Sequence, residues 1–374
     1  MDRHKFFRHN TEKLPIDLII EVLSRLPAKS VAICRCVSKH CDSLLASQVF
    51  KESFLTSSLS RPLLLFKFDR MWQFFSTPKR QNFCDNLNVV ATKYHMGSYR
   101  NFDIRSFQSV HGFIYMRCLS KVDEPSQVIC NPCTRQQITL PRLETRNLGS
   151  QSFFAYDPIQ KQFKVLCTMY DRKYKVLTLG TGELLWREIE CSFPHHPESG
   201  RNGIRIKGVL YYIAYTSCGD SQIVCFDVSS EKFSFINIEM DRYVLELINY
   251  KDEKLGVLVC YSNCGFHAEV WVLDDTNEVK WSKHMFVMPM DGVKSMWTTE
   301  RGDIVWVSSR WTHPSYISYC SMGSKRVRRV EIKGVEDTVS MRQDRCEFHT
   351  STNHVENLMF LYKKPGLIHG TISN

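Results

Sequence analysis

The stretch "FDVSSEKF", residues 226–233, places a polar turn between two apolar strand ends. The same pattern occurs in three further stretches, "LGTGELLW" (179–186), "LDDTNEVKW" (273–281) and "CSMGSKRV" (320–327). The turns of these four stretches begin 47 residues apart, at Gly180, Asp227, Asp274 and Ser321. Counting back another 47 residues reaches Cys133 in "CNPCTRQQI", which is again a turn between apolar stretches. A constant spacing of this kind indicates a repeated structural unit.

A second marker has a similar period. Glycine opens four apolar strands, "GFIYMRC" (112–118), "GVLYYIAY" (208–215), "GVLVCY" (256–261) and "GDIVWVSS" (302–309). Their spacings are 96, 48 and 46 residues. The first spacing is twice the second, and the apolar stretch "QFKVLCTMY" (162–170) lies within it where one more unit is expected. Units of this length with several short strands are typical of β-propeller blades, which bury their faces against neighbouring blades.

The repeats predict a small all-α N-terminal region followed by an all-β domain over residues 62–365, a β-propeller of six blades with seven as the alternative. Five units lie between 110 and 335, and the stretch that begins "RPLLLFKF" has room for one more. We expect the late segment "NLMFLY" (357–362) to pair with the first blade and close the ring. Residues 51–61 are predicted to be a linker, and 366–374 a C-terminal tail.

Residues 10–50 have a helical pattern instead. "LPIDLIIEVLSRLP" places Ile19, Val22, Leu23 and Leu26 at the spacing of one helix face. Pro27 ends this helix and can open a second, and Ser38 can cap a third. Three short helices bury little core by themselves, and the apolar residues of the first helix cover more than one face. This surplus of apolar surface predicts a docking partner.

The N-terminal stretch "LPIDLIIEVLSRLPAKSVAICRCVSKHCDSLL" (14–45) resembles the F-box, a helical motif that docks on a Skp-type adaptor. Two Leu-Pro pairs, the apolar helix between them, "AKS" and "CVSK" occur in the expected order. The remainder resembles the F-box-associated region of a large plant family, on segments such as "CNPCTRQQITLP", "FAYDPIQKQFKVL" and "WVLDDTNEVKWSKH". The resemblance implies a substrate-recognition subunit of a Skp–cullin–F-box ubiquitin ligase. The F-box would bind the adaptor and through it a cullin, and the β domain would hold an unidentified target protein without catalysis by this chain.

By the same resemblance, ten residues would build or support the adaptor-binding face. They are Leu14, Pro15, Leu18, Ile19, Leu23, Leu26, Pro27, Val31, Val37 and Cys41. The family usually has a tryptophan three residues after the serine of "CVSK", where this chain has Cys41. Because Trp buries far more surface than Cys, the resemblance implies a weakened adaptor interface. Two alternatives stay open: an adaptor-independent interaction scaffold with a degenerate F-box, and a propeller that binds a small ligand or glycan.

Neither a metal nor another cofactor is predicted. In "CRCVSKHC" (34–41), a continuous helix would place Cys34 and Cys41 on one face and Cys36 and His40 on another. Four ligands arranged in this way could not converge on one metal ion. The C-x-x-C at Cys130–Cys133 has no second ligand pair at a usual zinc-site spacing. The adjacent His195 and His196 are flanked by prolines, and we interpret them as an exposed loop.

Composition limits the location and the partners. Fifteen cysteines without a secretory signal indicate reduced thiols, and therefore the nucleus or the cytoplasm. The net charge of +10 is spread thinly, and we interpret its densest cluster, "KRVRR" (325–329), as a solvated strand and turn. We therefore do not expect nucleic acid as a partner. The apolar runs are too short to span a membrane.

Overall fold

In a computed structural model, the chain forms four helices followed by a β-propeller of six blades. The structure describes residues 14–68, 73–79, 88–96, 102–120, 126–143, 150–169, 171–180, 182–198, 203–216, 219, 221–238, 244–251, 254–260, 267–275, 279–287, 293–299, 301–308, 314–321, 327–335 and 348–361. The predicted tail and residues 10–13 of the predicted F-box lie outside these ranges, as do Lys325 and Arg326 of the basic cluster. None of the helices in these ranges combines the length and the hydropathy needed to cross a bilayer.

The helices are α1 (Ile16–Ser24), α2 (Ala28–Arg35), α3 (Lys39–Ala46) and α4 (Gln48–Leu59). The first three match the sequence prediction, whereas α4 occupies most of the predicted linker 51–61. Its helical structure follows from Phe50 and Phe54, which lie four residues apart, share one helix face and are completely buried. Ser47 caps α4 by accepting a hydrogen bond from Phe50 N at 3.2 Å. The region is therefore a four-helix layer.

Each blade is an antiparallel sheet with four main strands, described here from the propeller axis outward. Blade 1 consists of β26 (Phe348–His354), β1 (Leu63–Phe68), β2 (Gln73–Pro78) and β4 (Thr92–His95). Blade 2 consists of β5 (Phe102–Val110), β6 (Phe113–Ser120), β7 (Ser126–Asn131) and β8 (Gln136–Thr139). Blade 3 consists of β9 (Gln151–Asp157), β10 (Gln162–Thr168), β11 (Tyr174–Thr178) and β12 (Trp186–Ile189).

The other three blades follow the same plan with small additions. In blade 4, β13 (His196–Pro197) and β14 (Ile204–Ile206) both pair with β15 (Val209–Tyr215), which is followed by β16 (Ser221–Asp227) and β17 (Lys232–Asn237). Blade 5 consists of β18 (Val244–Tyr250), β19 (Lys254–Cys260), β20 (His267–Asp275) and β21 (Lys280–Val287). Blade 6 consists of β22 (Val293–Thr298), β23 (Ile304–Ser308), β24 (Ser315–Cys320) and β25 (Val327–Lys333), with β3 (Asn88–Val90) added in parallel to β25.

The two sequence markers correspond to two turns of the blade. Cys133, Gly180 and Ser321 lie between the third and fourth strands of a blade, and Asp227 and Asp274 lie at the C-terminal end of a third strand. In the glycine marker, Gly112, Gly208 and Gly302 lie between the first two strands of a blade, whereas Gly256 lies near the start of the second strand, β19. At Gly112 and Gly208 that turn has positive φ at two successive residues, with φ 46° and 82° at His111–Gly112. Such turns match the twist of a hairpin, and glycine adopts them without strain.

The core is divided among the interfaces between blades. Among the described residues of the propeller, six clusters of buried apolar side chains each join two neighbouring blades. In β1, for example, Leu64 and Phe66 face blade 6, whereas Leu65 between them faces blade 2. A strand that is buried on both faces has an almost continuously apolar sequence, as "LLLFKF" does. The prediction of a six-bladed propeller is confirmed.

A strand from the C-terminal end closes the ring, but it is not the predicted one. The closing strand is β26, which pairs with β1 in the register Phe66↔Thr350. The predicted segment, 357–362, is not a strand over its described residues, and it packs beneath blade 2. The prediction failed because β26, "FHTSTNH", is polar. One side of this strand lines the central cavity, so five of its seven residues are not buried.

Candidate functional site

The helices share one small apolar core that also touches the propeller. Its buried members are Ile20, Ala28, Val31, Leu45, Phe50 and Phe54. Cys133 and Leu358 pack against this core from the propeller side. Among the ten predicted residues, Val31 lies inside the core with 1% of its surface exposed. Val31 therefore supports the helices from within and has almost no surface to offer a partner.

The outer face of the helices carries much apolar surface. Leu14, Leu18, Val22, Ile33 and Val37, termed here the exposed apolar set, are between 47% and 73% exposed. Leu14, Leu18 and Val37 were predicted, and the predicted Pro15 and Pro27 are also exposed. The other predicted residues are half-buried: Ile19, Leu23, Leu26 and Cys41.

Sequence reasoning missed Ile33 and placed Val22 on the wrong face of α1. The structure turns Ile20 into the core and leaves Val22 60% exposed. The spacing from Leu18 to Val22 is four residues, which places the two side chains on the same face of the helix. That spacing could have identified Val22, but only with knowledge of which face α4 covers.

The junction between α2 and α3 separates the cysteines of "CRCVSKHC". Ser38 caps α3 by accepting a hydrogen bond from Cys41 N at 3.1 Å, as predicted. Cys36 is exposed at the end of α2, and Cys34 is half-buried against the helical core. Within the described ranges, no three His, Cys, Asp or Glu side chains are grouped so that they could hold a metal ion.

A carboxylate from the C-terminal end of the chain caps α2. The residue before α2 is Pro27, whose side chain cannot accept a hydrogen bond from the helix N-terminus. Instead, Glu356 accepts a hydrogen bond from Ala28 N through Oε2 at 2.8 Å. Its Oε1 lies 3.5 Å from the hydroxyl of Tyr94, which in turn lies 3.1 Å from Ser76 Oγ in blade 1. Glu356 therefore joins the helices to the propeller at the positive end of a helix dipole.

Two further contacts hold the helices in place. Arg61, between α4 and β1, donates hydrogen bonds to the carbonyl oxygens of Arg25 and Ser24, the latter at 3.2 Å. A cation at the C-terminal end of α1 is favoured by the dipole of that helix. Lys51 of α4 places its ammonium 4.5 Å from the ring centroid of Phe360. The helical layer is thus packed directly against the propeller.

Burial determines the protonation of this junction. Desolvation raises the pKa of Glu356 above its ordinary value of 4.5. The hydrogen bond from Ala28 and the positive charge of Arg61 act in the opposite direction and offset only part of this effect. Burial likewise raises the pKa of the nearby Cys133 thiol, so this thiol stays protonated at neutral pH. A protonated, packed thiol is unsuited to metal binding or redox chemistry.

The interpretation of His195 as part of an exposed loop is wrong. His195 is buried, and its Nε2 lies 2.6 Å from the hydroxyl of Tyr212. Its Nδ1 lies 2.9 Å from Phe193 O, and its backbone N–H donates to the hydroxyl of Tyr174 at 2.9 Å. Both ring nitrogens therefore have partners inside blades 3 and 4. Cys191 Sγ lies 3.8 Å from this ring, and burial raises the pKa of its thiol, which disfavours a nucleophilic thiolate.

Comparison with known families agrees with this architecture. Residues 12–53 match the F-box domain, and residues 61–355 match the F-box associated beta propeller domain. The chain therefore belongs to the F-box proteins that carry an F-box-associated β-propeller. This combination supports a substrate-receptor role in Skp–cullin–F-box ligases in general, and an F-box implies binding to a Skp-type adaptor in general. F-box proteins are substrate adaptors rather than enzymes.

Three relatives come from Arabidopsis thaliana. The putative F-box protein At1g46840 is 55% identical over 100% of this chain and 83% of its own length. The putative F-box protein At1g46984 is 50% identical over 93% of this chain and 94% of its own length. The F-box protein At5g65850 is 40% identical over 95% of this chain and 93% of its own length. The similarity therefore covers the helices and the propeller together.

Replacing Glu356 with Gln keeps an oxygen that can accept from Ala28 N but removes the titrating group. Because the folded-state pKa of Glu356 is raised, this carboxyl contributes stability at low pH that is lost as pH rises through the folded pKa. Wild type therefore loses this contribution as the pH rises from about 5 to about 7, and the glutamine variant does not. We expect the stability of Glu356→Gln relative to wild type to increase over this range. Thermal unfolding midpoints of the full chain at the two pH values measure this.

Glu183 is exposed, so Glu183→Gln is the matched control. The difference between its unfolding midpoint and that of wild type should be the same at both pH values. For Glu356→Gln, the difference from the wild-type unfolding midpoint should change between the two pH values. If it does not change, or if the variant loses stability relative to wild type at the higher pH, the result contradicts the buried position of the carboxyl group.

Proposed function

We propose that this chain is the substrate-recognition subunit of a Skp–cullin–F-box ubiquitin ligase. In this proposal the exposed apolar set docks the Skp-type adaptor, and the propeller binds a target protein for ubiquitination. The observation that supports it most is the coincidence of the F-box match with helices that leave Leu18, Val22 and Ile33 about half or more exposed. Ten cysteines of the described residues form no disulfide, which fits the proposed location in the nucleus or the cytoplasm.

The chemistry of such a ligase is carried out by other subunits, so the contribution of this chain is geometric. It has to hold the target at a fixed distance and orientation from the adaptor. The contacts of Glu356 with Ala28 and Tyr94 support this role because they join α2 to blade 1. Arg61, in the connection between α4 and β1, adds a contact with the C-terminal end of α1. A target bound to the propeller would then keep one orientation relative to the ubiquitin-transferring subunits.

A second candidate function is an interaction scaffold that works without the adaptor. Cys41 favours this candidate because it replaces the tryptophan that the family usually has. The side chain is half-buried in the first turn of α3, where a larger side chain would extend the apolar surface. Measured adaptor affinity distinguishes the two candidates.

Placing a charge in the exposed apolar set should abolish adaptor binding without unfolding the protein. Leu18 is 47% exposed, so Leu18→Asp costs little in the free protein, whereas a partner would have to desolvate the new carboxylate. We expect the affinity for a purified Skp-type adaptor to fall by at least about tenfold. Biolayer interferometry with the full chain measures this.

The matched control is Ile159→Asp, which introduces the same charge at an exposed turn of blade 3. This variant should bind the adaptor as wild type does. Equal binding of the Leu18→Asp and wild-type proteins would argue against docking through α1, and absence of binding by folded wild type would support the scaffold.

The reverse substitution at α3 should strengthen the same interface. Cys41→Trp restores a large apolar side chain at the family's usual position, and a buried aromatic anchor contributes about 2 kcal/mol or more at protein interfaces. We expect wild type to bind the adaptor weakly and Cys41→Trp to bind it at least about tenfold more tightly. Titration calorimetry with both proteins measures the ratio, and an equal or lower affinity of the Trp variant would refute this account of Cys41.

A further inference from the structure

The innermost strands of the blades enclose a central cavity of about 900 Å³. This volume lies within the range of small-molecule sites, about 300–1,000 Å³. The described part of its lining contains four basic side chains, Lys79, Arg105, Arg205 and Lys207, and one acidic side chain, Glu246. A wall with this composition attracts anions, and the low-dielectric surroundings strengthen that attraction.

Arg205 is the basic residue most firmly built into this wall. It lies in β14, and its guanidinium reaches the inner strands of two other blades. Its Nε donates to the carbonyl oxygen of Phe154 in β9, and one terminal nitrogen donates to the side-chain oxygen of Gln108 in β5. The other terminal nitrogen lies 3.4 Å from Gly203 O. These three acceptors are uncharged, and among the described residues no carboxylate forms an ion pair with Arg205.

The groups that orient Arg205 are themselves fixed. The amide nitrogen of Gln108 donates to Ser106 Oγ at 2.7 Å and to Ser152 O at 2.8 Å. The amide oxygen of Gln108 accepts from Phe154 N at 2.9 Å, which leaves this oxygen directed at Arg205. The side chain of Gln108 is buried, so its orientation is set by these bonds. The guanidinium is thus held before any ligand arrives, which lowers the entropy cost of binding.

Arg205 has N–H donors and a positive charge for which the described residues supply no complete set of partners. A guanidinium carries five N–H donors, and the contacts with the described part of the chain occupy three of them. Burial lowers the pKa of Arg205 to about 9, so the side chain is still a cation at neutral pH. A buried cation without a counter-charge is costly, and the fork of a guanidinium matches the two oxygens of a carboxylate or phosphate.

We propose that the central cavity binds a small organic oxyanion, whose carboxylate or phosphate group pairs with Arg205. Lys207 and Arg105 add positive charge to the same wall. Leu59 and Ser60 at the end of α4 also line the cavity, so the helical layer contributes to its wall. This inference goes beyond the role as a substrate receptor, and it holds whether or not the adaptor docks on the helices.

The test is a calorimetric titration of the full chain with inorganic phosphate and, separately, with citrate, in chloride buffer of constant ionic strength. We expect saturable binding of one anion per chain for at least one probe, and the preferred probe identifies a phosphate or a carboxylate ligand. Arg205→Gln should weaken binding by at least about tenfold, the loss expected for a charged hydrogen bond. Arg135→Gln, which removes the same charge from an exposed turn outside the cavity, should leave binding unchanged.

Glu246→Gln removes a negative charge from the same cavity, so its effect on anion affinity should be opposite to that of Arg205→Gln. This variant tests the proposal if Arg205→Gln does not fold. Removing the acidic side chain from the lining should tighten binding by about threefold, since it removes a repulsion of the anion. Absence of saturable binding with both probes overturns the proposal. Equal affinities of Arg205→Gln and wild type overturn it as well, as does an unchanged or weaker affinity of Glu246→Gln.

Discussion

The structure depends on the pairing of β26 with β1, which joins the last described strand of the chain to the first. Each blade buries its two faces against its two neighbours, so an open ring would leave two apolar faces in water. The loop beyond β26 then runs beneath α2, where Glu356 meets Ala28 N. Ser109 reinforces the closure from blade 2, because its backbone N–H donates to Ser351 Oγ at 3.1 Å and its hydroxyl lies 2.8 Å from His354 Nδ1. One strand pairing therefore sets both the propeller and the position of the helices.

The same closure relates the helical surface to the cavity at the propeller axis. β26 provides part of the cavity wall, and the end of α4 provides another part. The exposed apolar set is accessible to solvent, whereas Cys133 and Leu358 pack against the helical core from the propeller. The helices therefore combine solvent-exposed apolar surface with direct contacts to the propeller. The proposed receptor role requires this combination, because an adaptor-binding surface has to be held in place relative to a bound target.

The repeat was predictable because each blade uses the same turn chemistry, and residues such as Gly180 and Asp227 mark those turns in the sequence. The closing strand could not be predicted, because the residues of β26 that face the cavity are polar and their sequence resembles that of a loop. Helix α4 was missed because Phe50 is the last residue of the predicted F-box, and Phe54 falls in the predicted linker 51–61. The face of α1 that stays exposed depends on α4, so Val22 could not be assigned. Arg205 had no local signal, since its partners are 97 and 51 residues away in sequence.

Affinity purification of the full chain from plant cells with the proteasome inhibited tests most directly whether this chain is a substrate receptor. Mass spectrometry of the purified material reports the adaptor, the cullin and the accumulated target together. We expect a Skp-type adaptor and a cullin in the purified complex, together with at least one ubiquitinated protein that is enriched by proteasome inhibition. Recovery of the folded chain with other proteins but with neither adaptor nor cullin would contradict it.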